Sequence, residues 1–188
     1  ELLNMIKNGN LAYELIRPQD FYFKWYIKML SKRLVAVILR FIPLIILAIS
    51  LPYPFHLSGP YSINNFIMFI VALTLGFFLV TSLNLLMHIL TMFTLDEKGT
   101  MTTYNVIAEI FMGGTIPIPF FPLWLKHIAE FLPFRFIGDF TFRIYSNSIP
   151  LQEGYILIIG SIIWIIITIS LGYLISRVSL RKAVIQGG

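Results

Sequence analysis

Glu109 is the one carboxylate set inside a long apolar run, in the block Ala108-Glu109-Ile110-Phe111-Met112-Gly113-Gly114-Thr115-Ile116-Pro117-Ile118-Pro119-Phe120-Phe121-Pro122-Leu123-Trp124-Leu125. An ionisable side chain at membrane depth points to a pathway or a switch. The alternative is a glutamate close to one end of its span, snorkelling or paired with Arg40 or a neighbouring chain. Thr81, Asn84 and His88 recur three or four residues apart and so share a helical face. They suit either the lining of a polar pathway or hydrogen bonds between helices. The three histidines, His56, His88 and His127, have no ligand spacing, and cysteine is absent. No metal site, nucleophile and base pair, or phosphate-cradling glycine loop can be assembled from these residues. Catalytic residues are therefore expected to be none, with no metal and no cofactor in this chain.

The same block carries the strongest backbone signal. Gly113 and Gly114 offer a hinge or a close helix crossing, and packing is the preferred reading. Pro117, Pro119 and Pro122 each remove a backbone donor and clash with the preceding helical turn. Unpaired backbone survives in hydrocarbon only against protein or a water-lined cavity. The prolines are thus expected to end a span and turn the chain back, with Phe120 and Phe121 at the mouth of a pathway.

The elements that must hold these groups follow from hydropathy. Hydrophobic residues make up 57% and charged residues 12% of the 188, with a mean hydropathy of +0.83. Soluble domains carry roughly a quarter charged residues, so the expectation is an all-α membrane protein, a polytopic helical bundle in one domain. Four spans are expected at 34–51, 63–93, 104–118 and 155–175, with 94–103 as a loop. Residues 1–33 form a polar start and an amphipathic helix from Gln19 to Arg33, on which Lys24, Lys28 and Lys32 share one face. Residues 119–154 hold two short elements, Leu125–Phe134 and Phe136–Ser148, stopped near Pro133 and Pro150. Lysine and arginine crowd into 1–33, 94–103 and 176–188, whereas the opposite side has only Lys126, Arg135 and Arg143. That bias places the first set in the cytoplasm. It also explains the net charge of +5 by lipid headgroups, without nucleic acid.

The order of motifs resembles an ABC-2 type permease, of the branch of ABC-2 family transporter proteins once filed as a domain of unknown function. The likeness rests on Ile6-Lys7-Asn8-Gly9-Asn10-Leu11-Ala12-Tyr13-Glu14-Leu15-Ile16-Arg17-Pro18 and the glycine- and proline-rich block. It also rests on Leu132-Pro133-Phe134, Phe142-Arg143-Ile144-Tyr145 and the terminal Gln186-Gly187-Gly188. The chain departs from it at Thr141, where proline is often found, and at Asn147, where glycine is common. The resemblance implies six spans in the full protein, two of them upstream of Glu1, and re-entrant external helices at 119–154.

It further implies that a short cytoplasmic helix docks into an ABC ATPase subunit. That helix would comprise Gly9, Asn10, Leu11, Tyr13, Leu15, Arg17 and Pro18; the competing reading is an ordinary helix lying on lipid. ATP and Mg would then reside on the partner ATPase. Other implied partners are a second permease subunit, as homo- or heterodimer, and membrane lipid. The resulting expectation is a multi-pass protein of a bacterial cell membrane that exports an amphiphile (a drug, an antimicrobial peptide or a lipid-linked molecule) by alternating access. The alternatives are a non-transporting scaffold subunit and, behind it, an intramembrane enzyme.

Overall fold

The computed structural model describes residues 18–52, 59–94 and 96–182. Six α-helices occur among them: α1 (Phe21–Ser50), α2 (Ile63–Thr94), α3 (Glu97–Phe111), α4 (Leu123–Phe131), α5 (Asp139–Tyr145) and α6 (Leu151–Lys182). Two 3₁₀ turns, Ile118–Phe120 and Pro133–Phe136, flank α4. No strand occurs among the described residues.

Three of the helices, α1, α2 and α6, are long and apolar enough to cross a membrane. Hydrocarbon needs about 20 apolar residues, and these helices carry 30, 32 and 32. The span expected at 63–93 matches α2. That at 155–175 lies inside α6, which starts earlier, directly after Pro150. The amphipathic helix and the span at 34–51 prove to be one element, α1. No glycine or proline occurs from Phe21 to Ile42, Pro43 is taken up inside the helix, and the helix opens where the Asp20 carboxylate accepts a hydrogen bond from Phe23 N at 3.1 Å.

The span expected at 104–118 is corrected: α3 starts at Glu97 and stops at Phe111, with 15 residues. The segment read as a loop contains its start. Asp96 Oδ1 accepts from Gly99 N at 3.0 Å, and Glu97 occupies the first turn, where negative charge is favoured. At 15 residues α3 falls short of a bilayer crossing.

Helices α2 and α6 pack side by side and run in the same direction. Asn65 Nδ2 donates to Asn147 Oδ1 just before α6. Gly154 lies against Met68, and the Ser82 and Thr168 hydroxyls are 2.7 Å apart. Leu85 and Ile89 share a cluster with Ile169 and Tyr173. Buried positions on α6 recur every three, four or seven residues and, apart from Leu157, are small: Gly154, Ser161, Thr168, Gly172, Ser176 and Ser179. Small residues let membrane helices approach closely. α1 runs the opposite way, with Tyr22 against Gly172 and Tyr26 Oη donating to Phe78 O at 3.2 Å.

This arrangement gathers the start of α1, the end of α2, the start of α3 and the end of α6 at one pole. That pole carries Lys24, Lys28, Lys32, Arg33, Lys98, Arg177 and Arg181. Because α2 and α6 are parallel, residues 95–150 must return the whole length of the bundle.

Candidate functional site

The return path is broken at mid-height. α3 is capped at Met112 and followed by Gly113 at φ +75, a conformation that costs non-glycine residues roughly 1–2 kcal/mol. Gly113 N donates to Ile110 O and Gly114 N donates to Glu109 O, each at 3.2 Å. These two bonds form a Schellman cap, which satisfies the last carbonyls of the helix. The glycine pair is therefore a helix stop, and the prolines begin structure instead of ending a span. Pro117 precedes the first 3₁₀ turn, Pro119 sits within it and Pro122 precedes α4. A fixed φ and a missing donor suit proline to helix starts.

The chain then makes an excursion through 113–138 and comes back to the point it left. Asp139 N, at the start of α5, donates to Met112 O at 3.1 Å. A Cβ at Gly138 would stand 2.7 Å from the same carbonyl oxygen, so the joint accepts only glycine. The joint lies beside Gly76, whose missing side chain admits Phe136 O and Ile137. Gly76 is about 20 Å from the start of α2 at 1.5 Å per residue. From there α5 climbs to the pole opposite the basic one, where Asn65 Nδ2 donates to Ile144 O at 2.9 Å.

Around the joint lies the main buried cluster. Phe134 packs on Tyr104 and Phe111, and Phe136 on Phe140 and Gly160. A second cluster, Ile118, Phe121 and Ala129, seats the excursion on Phe111 and Leu125. Phe120 and Phe121 part company here, since Phe121 is buried and Phe120 is 78% exposed.

Charges accompany these rings. Arg143 Nη1 stands 3.5 Å from Asp139 Oδ2, and Arg135 Nη1 donates to Glu130 O at 2.9 Å. Arg135 covers the Phe136 ring and lies within electrostatic range of Glu130, Asp139, Arg143 and Glu153. Sequence reasoning missed this cluster because only the fold brings residues 130–153 around one point. Asn65 was missed for the same reason.

The candidate residues take varied positions. Glu109 is exposed and stands one turn before the joint. Because α3 begins at Glu97, the glutamate is about 18 Å along its helix, two residues before its end at Phe111. Arg40 makes no described ion pair with it. Thr81, Asn84 and His88 satisfy themselves on their own helix: Thr81 Oγ1 donates to Phe77 O, Asn84 Nδ2 to Val80 O, and His88 Nδ1 to Asn84 O. His88 Nε2 also stands 3.8 Å from Glu97 Oε1, tying α2 to the start of α3. Gly113 and Gly114 form the cap. Pro117, Pro119 and Pro122 are exposed. Of the proposed ATPase-docking residues only Pro18 falls among those described; Gly9, Asn10, Leu11, Tyr13, Leu15 and Arg17 lie outside them. Among the described residues no group of three or more metal-ligand side chains comes together.

Long apolar helices around a packed joint of short ones define a multi-pass helical membrane protein. The family model for ABC-2 family transporter protein matches residues 1–187. The chain belongs to that family, and its class is the membrane permease of ABC exporters, whose members generally work with ABC ATPase partners. Searches of curated proteins and of solved structures found no match.

Proposed function

We propose that this chain is the membrane-spanning permease subunit of an ATP-driven exporter that moves an amphiphilic substrate by alternating access. In this reading α3 and α5 together make a fourth crossing in two pieces. Their 22 residues rise about 33 Å if stacked, against roughly 30 Å of hydrocarbon. The excursion 113–138 is then a re-entrant segment that closes the mouth of the pathway on the side away from the basic pole.

The single observation that carries the reading is the joint, where Asp139 N meets Met112 O at mid-height in a chain whose family is fixed over residues 1–187. A plain anchor has no use for such a break, whereas a broken helix frees backbone at membrane depth that only protein or a cavity can satisfy. Glu109, exposed one turn below, would face that pathway or a second permease subunit. Thr81, Asn84 and His88 are assigned to the inner wall.

The cytoplasm lies at the basic pole by the positive-inside rule. A bacterial cell membrane, a homo- or heterodimer and a separate ATPase carrying ATP and Mg complete the proposal. The segment from Gly9 to Pro18 transmits ATPase closure to the spans through an apolar contact at Tyr13 and Leu15. A drug, an antimicrobial peptide or a lipid-linked molecule fits the aromatic character of the excursion.

The test is reconstitution of the chain with the ABC ATPase that co-purifies with it, in vesicles loaded with a fluorescent amphiphilic dye. ATP-dependent dye movement is expected, and Leu15→Asp should abolish it while leaving chain insertion intact, because an unpaired charge in an apolar contact is costly. Absence of ATP-dependent movement, or a Leu15→Asp variant that transports normally, contradicts the proposal.

A further inference from the structure

We propose that the groove between α1 and α2 binds one anionic lipid, drawn from the leaflet at the basic pole, with its headgroup on Arg33 and Arg40. The groove encloses about 500 Å³, within the roughly 300–1,000 Å³ typical of small-molecule sites. Its walls are apolar, formed by Leu34, Val37 and Phe41 of α1 and by Leu73, Phe77 and Val80 of α2. Arg33 is its one charged lining residue among those described. A second hollow of about 430 Å³ shares Arg33 and Val37 with it and adds Lys32 and Arg40. Among the described residues that line either hollow, none is acidic.

The placement of the two arginines selects the occupant. They are seven residues apart, hence on one face of α1. Counting from Ser50 at 1.5 Å per residue, Arg33 lies about 26 Å and Arg40 about 15 Å from the far end of the helix. Arg33 therefore lies level with Phe77 and Val80 of α2, whose side chains line the same groove, and Arg40 about 10 Å further from the basic pole, both within an apolar stretch long enough for about 30 Å of hydrocarbon. No described carboxylate pairs with either. A guanidinium on an exposed apolar face at that depth is costly unless it reaches a phosphate, for which arginine's planar fork is suited. Basic pockets between transmembrane helices take anionic headgroups in this way. The apolar groove beside the pair supplies the place for an acyl chain. None of the residues in the most apolar 18-residue stretch of α1 is buried by the described residues, which leave the side of the groove open. The proposal stands independently of whether the chain exports anything.

The test uses the full chain in vesicles containing phosphatidylglycerol and phosphatidylcholine with matched acyl chains, followed by native mass spectrometry of the extracted protein. One phosphatidylglycerol per chain is expected, retained at least tenfold over phosphatidylcholine. The double substitution Arg33→Gln with Arg40→Gln should reduce retention to the phosphatidylcholine level, Arg33→Lys with Arg40→Lys should largely preserve it, and Val37→Trp should displace the lipid by filling the groove. Equal retention of the two lipids, or an undiminished preference in the glutamine variant, overturns the proposal. A nitroxide at Val37→Cys should broaden on contact with spin-labelled phosphatidylglycerol. A label that meets no lipid shows the groove covered by another helix or a second copy and overturns it as well.

Discussion

Gly113 concentrates the most consequence in one residue. With φ at +75 and its missing side chain 3.2 Å from Asp139 Cβ, it both stops α3 and admits α5. Gly113→Ala should destabilise the chain by about 1–2 kcal/mol from the left-handed conformation alone, read as earlier unfolding in detergent. Gly114→Ala is the control: a Cβ there meets nothing closer than 3.5 Å, so its effect should be within about 0.5 kcal/mol, as for an ordinary surface change. Equal loss in both variants would contradict the cap. Asn147 offers a similar contrast. Its φ of 55 is the left-handed conformation, which asparagine adopts more readily than other non-glycine residues. Its amide oxygen accepts from Asn65 Nδ2 at 3.2 Å. Asn147→Gly should keep the turn and lose about 1 kcal/mol, one typical net hydrogen bond. Asn147→Ala should cost more, because it loses the bond and strains the backbone.

At the scale of elements the revealing comparison is between prolines and the helix they were expected to end. Since α3 stops at the Gly113 cap, replacing Pro117, Pro119 and Pro122 by alanine should leave its end at Phe111. Hydrogen exchange should show protection of the 108–112 amides unchanged and loss confined to 117–123. Extension of protection from 111 through 124 would mean that the prolines, not the cap, terminate α3. Gly138→Ala acts on the joint itself. The new methyl would collide with Met112 O, an overpacking that typically costs about 1–3 kcal/mol, and the Asp139 amide should exchange faster. The long apolar helices that contain 34–50, 63–93 and 155–175 were legible because an apolar run near 20 residues has few alternatives. The start of α3 was written in Asp96 and Glu97 but obscured by their reading as a loop. The return of residue 139 to residue 112 was not legible, since it joins backbone atoms across 26 intervening residues that carry no shared periodicity.

Over the whole molecule, the fold turns a charge bias along the chain into a charge bias in space. Lys24, Lys28, Lys32, Arg33, Lys98, Arg177 and Arg181 meet at one pole, while Asn65, Ile144 and Asn147 close the other. Parallel packing of α2 and α6 obliges the chain between them to traverse the bundle, and its crossing is divided at the Met112–Asp139 joint. The measurement that tests this most directly is cysteine labelling in intact cells, for which a chain without native cysteine is well suited. Single cysteines at Ser146, at Lys98 and at Val178, all exposed positions, should divide cleanly with an impermeant thiol reagent. Ser146→Cys is expected to react from outside, and Lys98→Cys and Val178→Cys only after permeabilisation. Reaction of Ser146→Cys and Lys98→Cys from the same side would mean that α3 and α5 do not cross between them, and the two-piece crossing would be refuted.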